Sequence, residues 1–126
     1  MPQQIWGFPN NGYMDAGNMP YTVYCVNLTS QATDLIVEEL TNTTPFTYTW
    51  TRTGAGQYEV VASVNQAFVK ASCQIGSSTT YDTIFSAGFD NAPTLKKIYV
   101  ATYNLAGSNT QDNQLDRTFF EIRIYP

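Results

Sequence analysis

The stretch FTYTWTRTGAGQYEVVAS, residues 46–63, leaves this chain little freedom. Phe46, Tyr48 and Trp50 alternate with Thr47, Thr49 and Thr51, so an extended strand puts rings on one face and hydroxyls on the other. A helix would scatter both sets around its circumference. Gly54 and Gly56 can take the positive φ of a short hairpin connection, and Tyr58, Val60 and Ala62 carry the return strand. A β-hairpin over 46–62 follows, with its aromatic face, Tyr48 and Trp50 included, expected in the middle of the core.

The same period of two recurs along the chain. YTVYCVNLT (21–29) sets Tyr21, Val23 and Cys25 against Tyr24, Val26 and Leu28, apolar on both faces as in a central strand. In LIVEEL (35–40), Leu35-Ile36-Val37 is strand-like and the segment reads as a second strand, although Glu38-Glu39-Leu40 would also suit a short helix. AFVKASCQI (67–75) is a third candidate, with Phe68, Lys70 and Ser72 against Val69, Ala71 and Cys73. GSSTT (76–80) separates it from YDTIFSAGF (81–89), where Asp82 and a break at Gly88 predict an irregular strand. LKKIYVATYNL (95–105) opposes Ile98, Val100 and Thr102 to Tyr99, Ala101 and Tyr103. AGSNTQDNQLD (106–116) has the composition of a surface loop. RTFFEIRIYP (117–126) closes the chain with Phe120, Ile122 and Ile124 facing in and Glu121, Arg123 and Tyr125 facing out. Seven or eight short strands with no long amphipathic helix predict an all-β domain over 21–126, a single antiparallel β-sandwich of Ig-like or jelly-roll-like type.

Residues 1–20, MPQQIWGFPNNGYMDAGNMP, fit no such element. Pro2, Pro9 and Pro20 deny them helix, and Asp15 is their one charged side chain. They read as an extended N-terminal arm whose Ile5, Trp6, Phe8, Tyr13 and Met14 need cover, on the arm's own domain or on another subunit. The docking role is assigned to these five.

Composition removes several function classes. Among 126 residues there is no His, the commonest general base and transition-metal ligand. Six Lys and Arg against ten Asp and Glu give a formal charge of −4 and no basic stripe for nucleic acid. No run approaches a membrane span, and no basic and apolar leader opens the chain. Cys25 and Cys73 lie in separate apolar runs without a paired-cysteine motif and read as buried free thiols, a disulfide being possible only if their strands are neighbours. The sequons at Asn27 and Asn42 read as chance matches in a Thr- and Asn-rich chain.

Catalytic constellations are equally sparse. Glu38 and Glu39 point to opposite faces of a strand, and Asp112 and Asp116 fall in loop composition, so neither pair has the fixed separation of a glycosidase. No nucleophile elbow, zinc-protease helix or phosphate loop is present. Asp90-Asn91 and Asp112-Asn113 could donate oxygens to calcium but lack the dense acidic spacing of a dedicated loop, and solvated turns are the expectation. No enzyme activity, cofactor or metal is expected. A carbohydrate- or receptor-binding β module stays open as the alternative, since the nine Tyr, seven Phe and two Trp could stack on sugars.

TYTWTRTGAGQYEV, the preceding IVEELTNTT and the terminal RTFFEIRIYP resemble short β-sandwich proteins of tailed bacteriophages, including crAss-like phages, and of related prophages. Those proteins carry a mid-chain Trp-Thr-x-x-Gly-x-Gly-x-Tyr hairpin and end in Glu-Ile-Arg-Ile/Val-Tyr-Pro. The resemblance covers 21–126. It implies a non-enzymatic virion component, made in the host cytoplasm and built into the particle as a capsid auxiliary (decoration), head-fibre or tail-associated protein. Trp50, Gly54, Gly56 and Tyr58 would be the hairpin signature, and Glu121, Ile122, Arg123, Tyr125 and Pro126 the closing strand, all in structural roles. Expected partners are other virion proteins, major capsid or fibre and tail subunits, and further copies of this chain in a homo-oligomer. Neither nucleic acid nor membrane is among them.

Overall fold

The computed structural model describes residues 20–76, 83–90, 96–104 and 109–126. They form eight strands: β1 (Thr22–Gln31), β2 (Asp34–Asn42), β3 (Tyr48–Gly54), β4 (Gln57–Ala62), β5 (Ala71–Ile75), β6 (Thr83–Asp90), β7 (Lys97–Asn104) and β8 (Thr118–Ile124). Two four-stranded sheets, ordered β2-β1-β8-β5 and β3-β4-β7-β6, pack their apolar faces together as a sandwich. Every strand pair is antiparallel. A 3-10 helix, Asn65–Phe68, is the one helical element among the described residues. The architecture is the all-β sandwich that the period-2 patterning predicts.

Three hairpins, β1–β2, β3–β4 and β6–β7, form locally, and the other connections cross between sheets. β1 and β8 pair in the middle of one sheet, from Thr22 opposite Ile124 to Leu28 opposite Thr118. The first and last strands of the described residues therefore hold each other. Inward side chains of the four central strands make the core: Val26 and Leu28, Tyr58 and Val60, Ile98 and Val100, Phe120 and Ile122. Phe120 is 0% exposed, and Ile124 packs at the margin.

The aromatic face of the hairpin lies elsewhere than the sequence predicts. β3 is an edge strand, so Tyr48 and Trp50 are half-buried along the flank, and the inward residues of β4 hold the centre. The rings serve there as cross-sheet ties. Tyr48 stacks on Tyr24 at 4.0 Å, Trp50 meets Phe120 edge-on at 5.0 Å, and the Trp50 indole N–H donates to the Tyr24 hydroxyl at 3.0 Å.

Further expectations are corrected. The strand predicted from residue 67 begins only at Ala71. Before it the chain must leave the β3-β4-β7-β6 sheet, and the 3-10 turn makes that crossing while dropping Ala67 and Phe68 into the core. β6 runs unbroken through Gly88, which pairs with Tyr99. Gly56 has φ +66°, whereas Gly54 completes β3 without a positive φ, so one glycine meets the turn's demand where two were expected. Cys25 and Cys73 are free thiols, as expected, Cys25 buried and Cys73 only half-buried: β8 lies between their strands, with Glu121 opposite Cys25 and Ile122 opposite Cys73. Asp82, Asn91 and most of GSSTT lie outside the described residues.

Candidate functional site

The strand directions give the sandwich two unlike ends. At one end, residues 109–117 form a loop outside any strand or helix, as their composition predicts, but it packs onto the β1–β2 and β3–β4 turns. Leu115 is 2% exposed and exchanges hydrogen bonds with Ser30, its N–H donating to the Ser30 hydroxyl and its carbonyl accepting from the Ser30 N–H, both at 3.0 Å. Asn113 accepts the Ala32 N–H at 2.6 Å, and Gln111 bonds through its backbone to Thr102 at 2.9 Å.

Asp112 is the hub of that end. Arg52 grips it with both nitrogens, Nε to Oδ1 at 3.1 Å and Nη2 to Oδ2 at 2.7 Å, a bidentate pair. The Gly56 N–H donates to Oδ1 at 2.8 Å, and the Tyr58 hydroxyl lies 3.4 Å from the same oxygen. The Arg52 guanidinium, helped by the Gly56 N–H and Tyr58, holds the Asp112 carboxyl below the usual carboxylate range. Three of these contacts converge on Oδ1 and one on Oδ2, so this Arg-Asp-Tyr cluster ties the loop to the β3–β4 hairpin. Gly56 shows how closely: a Cβ there would stand 2.3 Å from the Gln111 carbonyl oxygen.

The opposite end carries both termini of the sandwich and an open apolar groove. Pro20 and Tyr21 form one wall, Pro45 and Phe46 the other, and Ile124, Tyr125 and Pro126 the floor of a 340 Å³ cavity. A second cavity of 250 Å³ shares Phe46 and the floor residues and runs on toward Ala67, Val69 and Lys70 at the 3-10 helix. The floor is held rigidly. The Tyr125 N–H donates to the Lys70 carbonyl at 2.7 Å, Tyr21 and Tyr125 rings lie 5.6 Å apart, and the Arg123 guanidinium sits 4.7 Å above Tyr21, itself tied to Glu121 at 2.7 Å. Exposed Val69 and Tyr125 extend the apolar lining outward.

Of the hairpin and closing-strand residues singled out in the sequence, Ile124, Tyr125 and Pro126 reach this groove, while Tyr58, Phe120 and Ile122 stay in the interior and Tyr48 and Trp50 lie half-buried on the β3 flank. Ile5, Trp6, Phe8, Tyr13 and Met14 lie outside the described residues. Pattern reading passed over Tyr21, Pro45, Phe46, Tyr125 and Pro126 as groove residues. Their available signal was proline beside an aromatic at each strand boundary, a pairing that periodicity does not weigh. Asp116 sits four residues from Asp112 and bonds Arg117 at 3.3 Å, not Asp112. Among the described residues no three His, Cys, Asp or Glu gather as a metal site, and no helix is long and apolar enough to cross a membrane.

No family model, curated protein or solved structure matches this chain.

Proposed function

We propose that this chain is a non-enzymatic structural protein of a bacteriophage virion, a capsid auxiliary (decoration), head-fibre or tail-associated subunit that docks on its neighbours. The phage class rests on the likeness of the hairpin and closing-strand motifs to virion proteins. The single observation behind docking is the apolar groove at the end where the arm joins the sandwich.

Its occupant is the arm of a second copy. Nineteen residues precede Pro20, enough to reach about 60 Å when extended. They bring Ile5, Trp6 and Phe8 as anchors for a groove of tyrosine, phenylalanine and proline, and one acidic side chain. Pro20 itself lines the groove, and the residue before a proline is confined to extended backbone, which disfavours an immediate turn back onto that lining. A neighbour's arm needs no reversal. Each copy then gives one arm and receives one, which closes into a symmetric dimer or ring or continues around a shell.

Quantitative mass spectrometry of purified particles tests the virion assignment. A ratio to the major shell protein near one, or a simple fraction of it, identifies a decoration subunit, and a few copies per particle identify a fibre, collar or tail position. Absence from the particles rejects the assignment.

A further inference from the structure

The outer face of the β3-β4-β7-β6 sheet is chemically unlike the rest of the surface. Along β7 it presents Tyr99 and Tyr103, separated by Ala101. Residues four apart on a strand stand about 13 Å from each other, so the two rings bracket a depression whose base is a methyl group. The register sets Gln57 and Ser86 on either side of Ala101, and Glu59 and Gly88 on either side of Tyr99. A Cβ on Gly88 would meet nothing within 4 Å, so the ground beside Tyr99 is open. The depression holds 260 Å³ and takes Thr53 and Thr110 into its rim. Tyr99 is 42% exposed.

The polar groups around it are nearly all uncharged. Thr49, Thr51 and Thr53 form a rank of exposed hydroxyls along β3. Gln57 donates to the Thr110 hydroxyl at 3.2 Å, which orients its amide and leaves its carbonyl oxygen and second N–H for a ligand. Glu59 and Lys97 neutralise one another at 3.2 Å. Such a surface offers nothing to an anionic ligand and too little continuous apolar area for a protein hot spot. It offers an exposed and a half-exposed tyrosine ring beside amides and hydroxyls, a chemistry suited to a pyranose, whose C–H face is apolar and whose rim is a belt of hydroxyls.

The geometry points to a binding site for a neutral oligosaccharide, seated over Ala101 between Tyr99 and Tyr103, with Gln57, Thr53 and Thr110 bonding its hydroxyls. The site lies on a different surface from the end groove, and its case does not depend on the virion assignment. A chain built into a larger assembly through its end would keep this face outward, toward a glycan-coated cell.

The test is a titration of the full chain, isotopically labelled, with a panel of neutral oligosaccharides: cellohexaose, maltohexaose, mannohexaose, xylohexaose and chitohexaose. Amide shifts confined to Gln57, Tyr99, Ala101 and Tyr103 are expected with at least one of them. Tyr99→Ala and Tyr103→Ala should each weaken that binding by about tenfold with an unchanged circular dichroism spectrum, the size expected for losing one stacked ring. Ile36→Ser, on the other sheet, should leave it unchanged. Failure of every sugar at 10-fold above about 1 mM, the weak end of specific recognition, would overturn the proposal. So would binding that both tyrosine variants retain in full.

Discussion

Gly56 and Gly54 stand two residues apart in the same turn and are under different constraints. Gly56 combines φ +66° with a backbone carbonyl 2.3 Å from where its Cβ would go, whereas a Cβ at Gly54 meets only the tip of the Gln57 side chain at 3.0 Å. Gly56→Ala should cost about 3 kcal/mol, from left-handed strain plus displacement of the 109–117 loop, and Gly54→Ala less than about 1 kcal/mol; urea unfolding midpoints measure both. Asp112 gives a pH dependence of definite sign. Its carboxyl is held low in the folded chain, so the stability it contributes is complete above the ordinary carboxylate value of roughly 3.9 and is lost as pH falls through the lower folded value. Thermal unfolding should show that acid limb, and Asp112→Asn should flatten it. Cys25 is buried, and burial together with the neighbouring Glu121 carboxylate pushes its thiol up to about 11. At pH 8 it stays protonated, so iodoacetamide should modify it far more slowly in the folded chain than in urea. The glycine turn was legible in the sequence because its requirement is local. Which glycine carries it was not, because Gln111 arrives from 55 positions away.

At the scale of elements, the 109–117 segment separates composition from role. It is as polar as a surface loop, yet Leu115 is buried and Ser30 satisfies its backbone, so the segment plugs one end of the sandwich. Leu115→Ala should cost about 3 kcal/mol, the range of a buried leucine, whereas Leu40→Ala on the edge strand β2, where the side chain is 50% exposed, should cost under about 1 kcal/mol; calorimetric melting separates them. The hairpin at 46–62 was readable because its two strands and turn lie within one stretch. The mistaken placing of its aromatic face has a physical reason. Alternation tells which side chains share a face, but whether that face is central depends on which strands flank it, and the β4–β7 pairing is a long-range event. The same limit applies to residues 67–70, whose apolar alternation gives way to a 3-10 crossing because the chain must change sheets there.

At the scale of the whole molecule, the two ends divide the labour. One is closed by a charged lock centred on Asp112, and the other, where Pro20 and Pro126 meet, is left as an apolar groove beside the arm. The sandwich class was legible in the sequence, and the strand count nearly so, since seven or eight short runs with alternating faces permit little else. The groove was not, because Tyr21, Phe46 and Tyr125 come from three separate parts of the chain and only the pairing of the first strand with the last brings two of them together. The arm's apolar residues suggest a docking role, and the proposal seats them in this groove on a second copy. Sedimentation velocity of the full chain across a range of concentrations, beside a Phe46→Asp variant, tests this most directly. The account predicts that the full chain assembles to at least twice its 14.1 kDa mass and that the variant sediments as a monomer with its fold intact. A full chain that remains monomeric at every concentration, its groove filled by its own arm or by nothing, would contradict it.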